Sequence, residues 1–143
     1  MKEMAYSFER IVEVLERNFY KDYEYLIINY GTHPCCYVAL RKSHPCYEVH
    51  DDNINCHGGI TYCGHGLIDH FTRTTYLSED YWVMGWDYQH FGDFSGYYLN
   101  PANRNITALC RNSKKWTTLE LIKDCKDVIK QLDFLDHPER KYA

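Results

Sequence analysis

The stretch YEYLIINYGTHPCCYVALRK, residues 23–42, decides how the rest of the chain is read. Two runs rich in aromatic and β-branched residues, 23–31 and 35–42, flank Gly31-Thr32-His33-Pro34. Such side chains suit a pleated surface, and glycine and proline punctuate turns, so the stretch predicts two strands joined by a short turn. A sheet is therefore the centre around which the other segments are placed.

Upstream, Met4, Phe8, Ile11, Val12, Leu15 and Phe19 recur at three- and four-residue steps, with Glu9, Arg10, Glu13, Glu16 and Arg17 between them. That spacing predicts an amphipathic helix ending near Tyr20. Downstream, SHPCYEVHDDNINCHGG (43–59) reads as a long polar loop, and GITYCG (59–64) as a short strand. GHGLIDHFTRTTYLSED (64–80) reads as an excursion with a helical turn around Leu67–Phe71, and YWVMGW (81–86) as a central strand. From Asp87 to Lys115 the chain is rich in Gly, Asn and Ser, and a loop of that length is usually functional or contains short elements. Thr117-Thr118-Leu119-Glu120 then matches a capping box. Leu121, Ile122, Cys125, Val128, Ile129 and Leu132 form one apolar stripe after it, with Pro138 beyond the end. The expected fold is α+β: a single domain over residues 1–143, with a small, mostly antiparallel sheet flanked by an N-terminal and a C-terminal amphipathic helix.

The length of 143 residues fits one domain, for which about 100–200 residues is usual. A formal charge of −4 argues against a duplex nucleic-acid binder, which carries a basic face. The first 20 residues are charged throughout and lack the apolar run of a signal peptide, and no stretch approaches a membrane span. With seven cysteines, an odd number, the expectation is a cytoplasmic protein with free thiols. The 14 tyrosines suit a homo-oligomer interface or a stacking pocket as well as a tyrosine-rich core.

Four constellations carry candidate chemistry. In CHGG (56–59), paired glycines let a ligand approach the backbone, and His57 can serve a phosphate, a proton transfer or a metal. The plainer reading is a tight turn with an exposed histidine. In WDYQHFGD (86–93), Asp87, His90 and Asp93 would share a face in a helical turn and could chelate one divalent ion. Otherwise an Asp–His hydrogen bond simply orders the loop. Cys46, His50, Cys56, His57, Cys63 and His65 are zinc-ligand types at poor zinc spacing. Arg104, Arg111, Lys114 and Lys115, with Arg73 in the excursion and Tyr97, Tyr98 and Trp116 nearby, supply the parts of a nucleotide pocket or of a solvated loop. Ser95 lacks a nucleophile elbow, and neither a Walker loop nor a dinucleotide fingerprint is present.

CYVALRKSHPCYEV (36–49), HGGITYCG (57–64) and YWVMGWDYQHFGDFSG (81–96), followed by an amphipathic helix, resemble a family of small phage and prophage proteins. In that family a Tyr-Val-Ala strand leads to His-Pro-x-Tyr, then His-Gly-Gly-(Ile/Leu)-Thr-(Tyr/Phe)-x-Gly, then a Trp-rich strand ending Gly-(Phe/Trp)-Asp-x-x-His-x-Gly-Asp. The resemblance covers residues 35–132 and marks His57, Gly58, Gly59, Thr61, Tyr62, Gly64, Asp87, His90, Gly92 and Asp93. The excursion after Cys63 is longer than the pattern, and most cysteines fall outside it, which leaves zinc ligation without family support. The resemblance implies a shared polar site of His57, Asp87, His90 and Asp93, and the sharper expectation is that Asp87 and His90 face His57 across neighbouring strand ends.

Phage proteins of this size include sponges that sequester nucleotide second messengers, of the anti-Thoeris and anti-CBASS kind. The leading expectation is such an anti-defence protein, oligomeric, binding a small nucleotide through His57, Gly58, Gly59, Thr61, Tyr62, Trp86, Asp87, His90, Asp93, Arg104 and Arg111. No organic cofactor is expected. The alternatives are a hydrolase using His57, Asp87 and His90, with a divalent metal on Asp87, His90 and Asp93 if one is required, and a protein–protein inhibitor of a host defence enzyme.

Overall fold

Adjacent β-rich runs in one chain pair most readily with their immediate neighbours, and the architecture follows from that preference. The structure, a computed structural model, describes residues 12–31, 33–50, 53–89 and 114–140. Among these residues five strands form one antiparallel sheet: β1 (Glu13–Tyr20), β2 (Tyr23–Asn29), β3 (Pro34–Leu40), β4 (Tyr62–Asp69) and β5 (Thr74–Asp87). Their order is β1-β2-β3-β5-β4, so the 41–61 segment carries the chain past the position of β5 to the far edge. Helix α1 (Thr118–Asp136) follows, giving the α+β class.

Alternation along the strands divides the core in two. Tyr25 and Ile27 of β2, Cys36, Val38 and Leu40 of β3, and Met84 and Trp86 of β5 pack against α1 through Leu121, Cys125, Val128, Ile129 and Leu132. The intervening Leu26, Ile28, Cys35, Tyr37, Ala39 and Val83 form a second cluster with Leu67 and Leu77. Those last two belong to the outer half of the β4–β5 hairpin, which bends back over the face opposite the helix. The register shifts between His65 and Leu67 and again between Leu67 and Ile68. Gly66 at the bend has φ +73°, and a Cβ there would meet Leu77 O at 2.8 Å and Glu79 N at 2.9 Å. Arg17 of β1 donates to the Tyr76 carbonyl and ties the bent arm to the other side of the sheet.

The hairpin of β2 and β3, the position of YWVMGW inside the sheet and the capped C-terminal helix agree with the sequence. Thr117 Oγ1 accepts from Glu120 N at 3.2 Å, and the Glu120 carboxylate accepts from Thr117 N at 3.1 Å.

Two expectations are overturned. Residues 13–20 are not helical but form β1, paired with β2 from Glu13↔Asn29 to Tyr20↔Tyr23. Local spacing favoured a helix, but an open edge of β2 offers a full ladder of hydrogen bonds, and tertiary pairing overrides a weak intrinsic preference. A bulge between Val14 and Glu16 shifts the register at Leu15, which packs on the helix-side core. Met4 and Phe8 lie outside the described residues. The excursion at 64–80 contains no helical turn; it is the β4–β5 arm, closed by residues 70–73 with Phe71 83% exposed at the tip. There Asp69 Oδ1 accepts from Phe71 N and Thr72 N, the local side-chain bonding that opens a turn. No helix among the described residues is long and apolar enough to cross a membrane.

Candidate functional site

β5 ends on alternating large and polar residues, and the period of two sends Trp86 and Tyr88 to the helix side while Asp87 goes to the other. Trp86 and Tyr88 are fully buried in the helix-side core. Trp86 Nε1 donates to Tyr88 Oη at 3.0 Å, and Tyr88 donates in turn to Asp124 Oδ2 of α1 at 2.6 Å. Burial, reinforced by the nearby Cys36 thiol, holds the Tyr88 phenol far above its ordinary pKa, so it remains a donor and orients the carboxylate.

The CHGG segment closes over this relay. Gly59 N donates to Cys56 O at 3.0 Å, and Gly58 and Gly59 take φ +71° and +82°, where a Cβ is disfavoured. The turn lays His57 flat on Tyr88, with ring centroids 4.7 Å apart and planes 8° from parallel. Trp116, just before the α1 cap, meets His57 edge-on at 4.9 Å and Tyr88 at 5.0 Å. Lys114 Nζ lies 4.0 Å from the Trp116 ring centre and 2.6 Å from Glu120 Oε2. The loop is clamped to the helix by Gln131, whose Oε1 accepts from Asn55 N and whose Nε2 donates to Asn55 O, both at 2.7 Å.

Between loop and helix lies a cleft of about 570 Å³, lined by Cys56, His57, Trp116, Asp124, Asp127 and the Asn55–Gln131 clamp. Its chemistry is aromatic on one wall, carboxylate and amide on the other. Burial pushes the Cys56 thiol up to about 12, so it enters as a neutral thiol and not as a thiolate nucleophile.

Of the residues marked by sequence, His57, Gly58 and Gly59 shape this cleft, and Trp86 supports it from beneath. Asp87 does not face His57. It pairs with Cys35 in the β3–β5 ladder and shares that residue's face, across the sheet from the helix. There its carboxylate accepts from Thr61 Oγ1 at 3.2 Å and Gln89 N at 3.2 Å. The expected His57–Asp87 juxtaposition fails because adjacent strand positions point to opposite faces. Thr61 bridges β4 and β5 through its N–H to Gly85 O. Tyr62 lies edge-on to Tyr37 on the far face and donates to Gly66 O at 2.8 Å. His90, Asp93, Arg104 and Arg111 lie outside the described residues.

The proposed zinc-ligand types are dispersed: Cys46 is in the core beneath the 43–50 loop, Cys63 packs from β4, and His65 pairs with Glu48 at 2.9 Å. Among the described residues no three His, Cys, Asp or Glu side chains gather into a metal-holding group. Tyr88, Asp124, Asp127 and Gln131 were missed by sequence reasoning. The helical three carry a faint signal, a polar row at i, i+3 and i+7 beside the apolar stripe, but the row alone does not reveal what it faces. The chain matches no protein-family model, no curated protein and no solved structure.

Proposed function

We propose that this protein binds and sequesters a nucleotide-derived second messenger, taking a base into the cleft between the 53–59 loop and α1. The observation that carries this reading is a cleft lined by the aromatic rings of His57 and Trp116, with Tyr88 stacked beneath His57, together with Asp124 and Gln131. Flat π faces stack any base at about 1–3 kcal/mol each. A carboxylate accepts hydrogen bonds from adjacent ring N–H and amino groups of a purine edge, and an amide adds a donor and an acceptor. Asp124 and Asp127 repel phosphate, so the base enters and the phosphates face outward, on the side of Lys114 beside Trp116. The resemblance to phage proteins supplies the setting, an anti-defence sponge, with assembly into an oligomer raising its capacity.

Calorimetry against a panel of cyclic dinucleotides and cyclic ADP-ribose variants tests this. Stoichiometric binding of one class is expected, with intact nucleotide recovered by chromatography after denaturation. Trp116→Ala should weaken that binding about 5- to 150-fold, the equivalent of one lost stack. Absence of heat across the panel would remove the reading, and recovery of cleaved products would replace it with hydrolysis.

A further inference from the structure

A second cleft, of about 320 Å³, opens where the β1–β2 turn, the end of β3 and the end of α1 meet. Tyr23 lines it, and this side chain is only 3% exposed. Its hydroxyl is fully buried and donates to no acceptor among the described residues, while the Arg41 guanidinium acts on its oxygen. A buried donor left unmade is costly, so its presence beside a polar cleft points to a guest that satisfies it.

The surroundings define that guest. Arg41 approaches the Tyr23 ring, with its guanidinium carbon 6.0 Å from the ring centre. It donates through Nε to Ser43 Oγ and through one terminal nitrogen to Asp136, leaving part of its fork. Arg140 reaches Asp133 with one nitrogen at 3.4 Å and keeps the rest. His137 is occupied by Asp136 and Glu139, both at 3.3 Å. Lys21, at the rim, forms no ion pair with any described carboxylate and rests near the Tyr20 ring. The carboxylates whose charge acts on the Tyr23 hydroxyl, Asp133 and Asp136, are engaged by Arg140, Arg41 and His137.

Three permanent cations line the cleft, Lys21, Arg41 and Arg140, against the carboxylates Asp22 and Asp133. With Asp136 paired to Arg41 the local charges balance, which tolerates a singly charged oxyanion better than a dianion. Asp136 behind Arg41 and the carbonyl end of α1 both oppose a doubly charged phosphate. We infer that this cleft is a binding site for a carboxylate group, with one oxygen accepting from Tyr23 Oη and the other from the open guanidinium edges of Arg41 and Arg140. Bidentate recognition by planar forks is the geometry in which arginine holds a carboxylate best. The carboxylate belongs either to a free organic acid or to the C-terminus of a peptide.

Two-dimensional NMR on the full chain separates these sources, with N-acetylglycine, its amide, succinate and inorganic phosphate as probes. N-acetylglycine is expected to shift the Tyr23 ring signals and the Nε–H signals of Arg41 and Arg140, and the amide to leave them unmoved, if a peptide terminus is read. Shifts with succinate alone assign a free acid, and both results support a carboxylate site. Tyr23→Phe, a variant that folds without needing a new partner, should weaken the same titration at least about tenfold, the equivalent of one hydrogen bond to a charged group. Arg140→Gln should weaken it as well. The inference is overturned if no carboxylate shifts these signals, if phosphate shifts them as strongly, or if Tyr23→Phe binds unchanged.

Discussion

His44, a buried residue of the 43–50 loop, has Nε2 2.9 Å from the Leu132 carbonyl and Nδ1 accepting from Cys46 N at 3.0 Å. That pair of bonds needs the neutral ring protonated on Nε2, and burial pushes its pKa below the ordinary 6.5. The unfolded chain therefore takes up a proton at a pH where the folded chain does not. The stability this residue supplies is complete above pH 6.5 and is lost as pH falls below that value toward the folded pKa. Urea midpoints are expected to drop between pH 7 and pH 5. His44→Gln, which keeps a donor for Leu132 O, should flatten that dependence while lowering stability at pH 7 by about 1 kcal/mol. At Tyr88, substitution by Phe strands the buried Trp86 indole N–H and frees Asp124, and urea unfolding should show a loss of about 1–3 kcal/mol. None of this was legible beforehand. His44 reads in sequence as an exposed loop residue, and Tyr88 as a spacer between Trp86-Asp87 and His90.

At the scale of elements, the β1–β2 connection shows why the N-terminal strand was misread. Tyr20 pairs with Tyr23, so the turn is Lys21-Asp22, and both residues have positive φ, 50° and 67°. Two-residue turns of this hand favour Asn-Gly or Asp-Gly. Lys-Asp gives no such signal, while Leu15 and Phe19 offer a helical spacing four residues apart. Replacing Lys21-Asp22 by Asn-Gly should relieve the backbone and raise the thermal midpoint, by the equivalent of about 1 kcal/mol, in a calorimetric scan. Helix α1 is the contrary case. Its cap, stripe and end lie within one short segment, and the structure reproduces the capping box residue for residue. Thr117→Ala is expected to cost about 1 kcal/mol in the same measurement.

The whole molecule builds its cleft from three distant places in the chain: the 53–59 loop, Tyr88 just past β5 as the support beneath His57, and the polar row of α1. The Asn55–Gln131 clamp joins the first to the third, so it ties the order of the cleft-lining loop to the helix. Gln131→Ala removes both hydrogen bonds to Asn55 and a longer one to the Asp127 carbonyl, and should speed hydrogen exchange at the Asn55 amide well before the β-sheet amides respond. Global stability should fall by about 1–2 kcal/mol in urea unfolding.

By itself the sequence determined the β2–β3 hairpin, the inner strand YWVMGW and the capped helix, because turn residues, alternation and caps act between residues close in the chain. Tertiary structure alone decided that residues 13–20 extend along β2, that the outer β4–β5 arm bends at Gly66 to cover the second face, and that His57 meets Tyr88, Trp116 and the α1 flank while Asp87 turns to Thr61. A strand has a period of two, so one step in register exchanges its faces, and which partners a side chain meets depends on pairings between segments far apart in sequence.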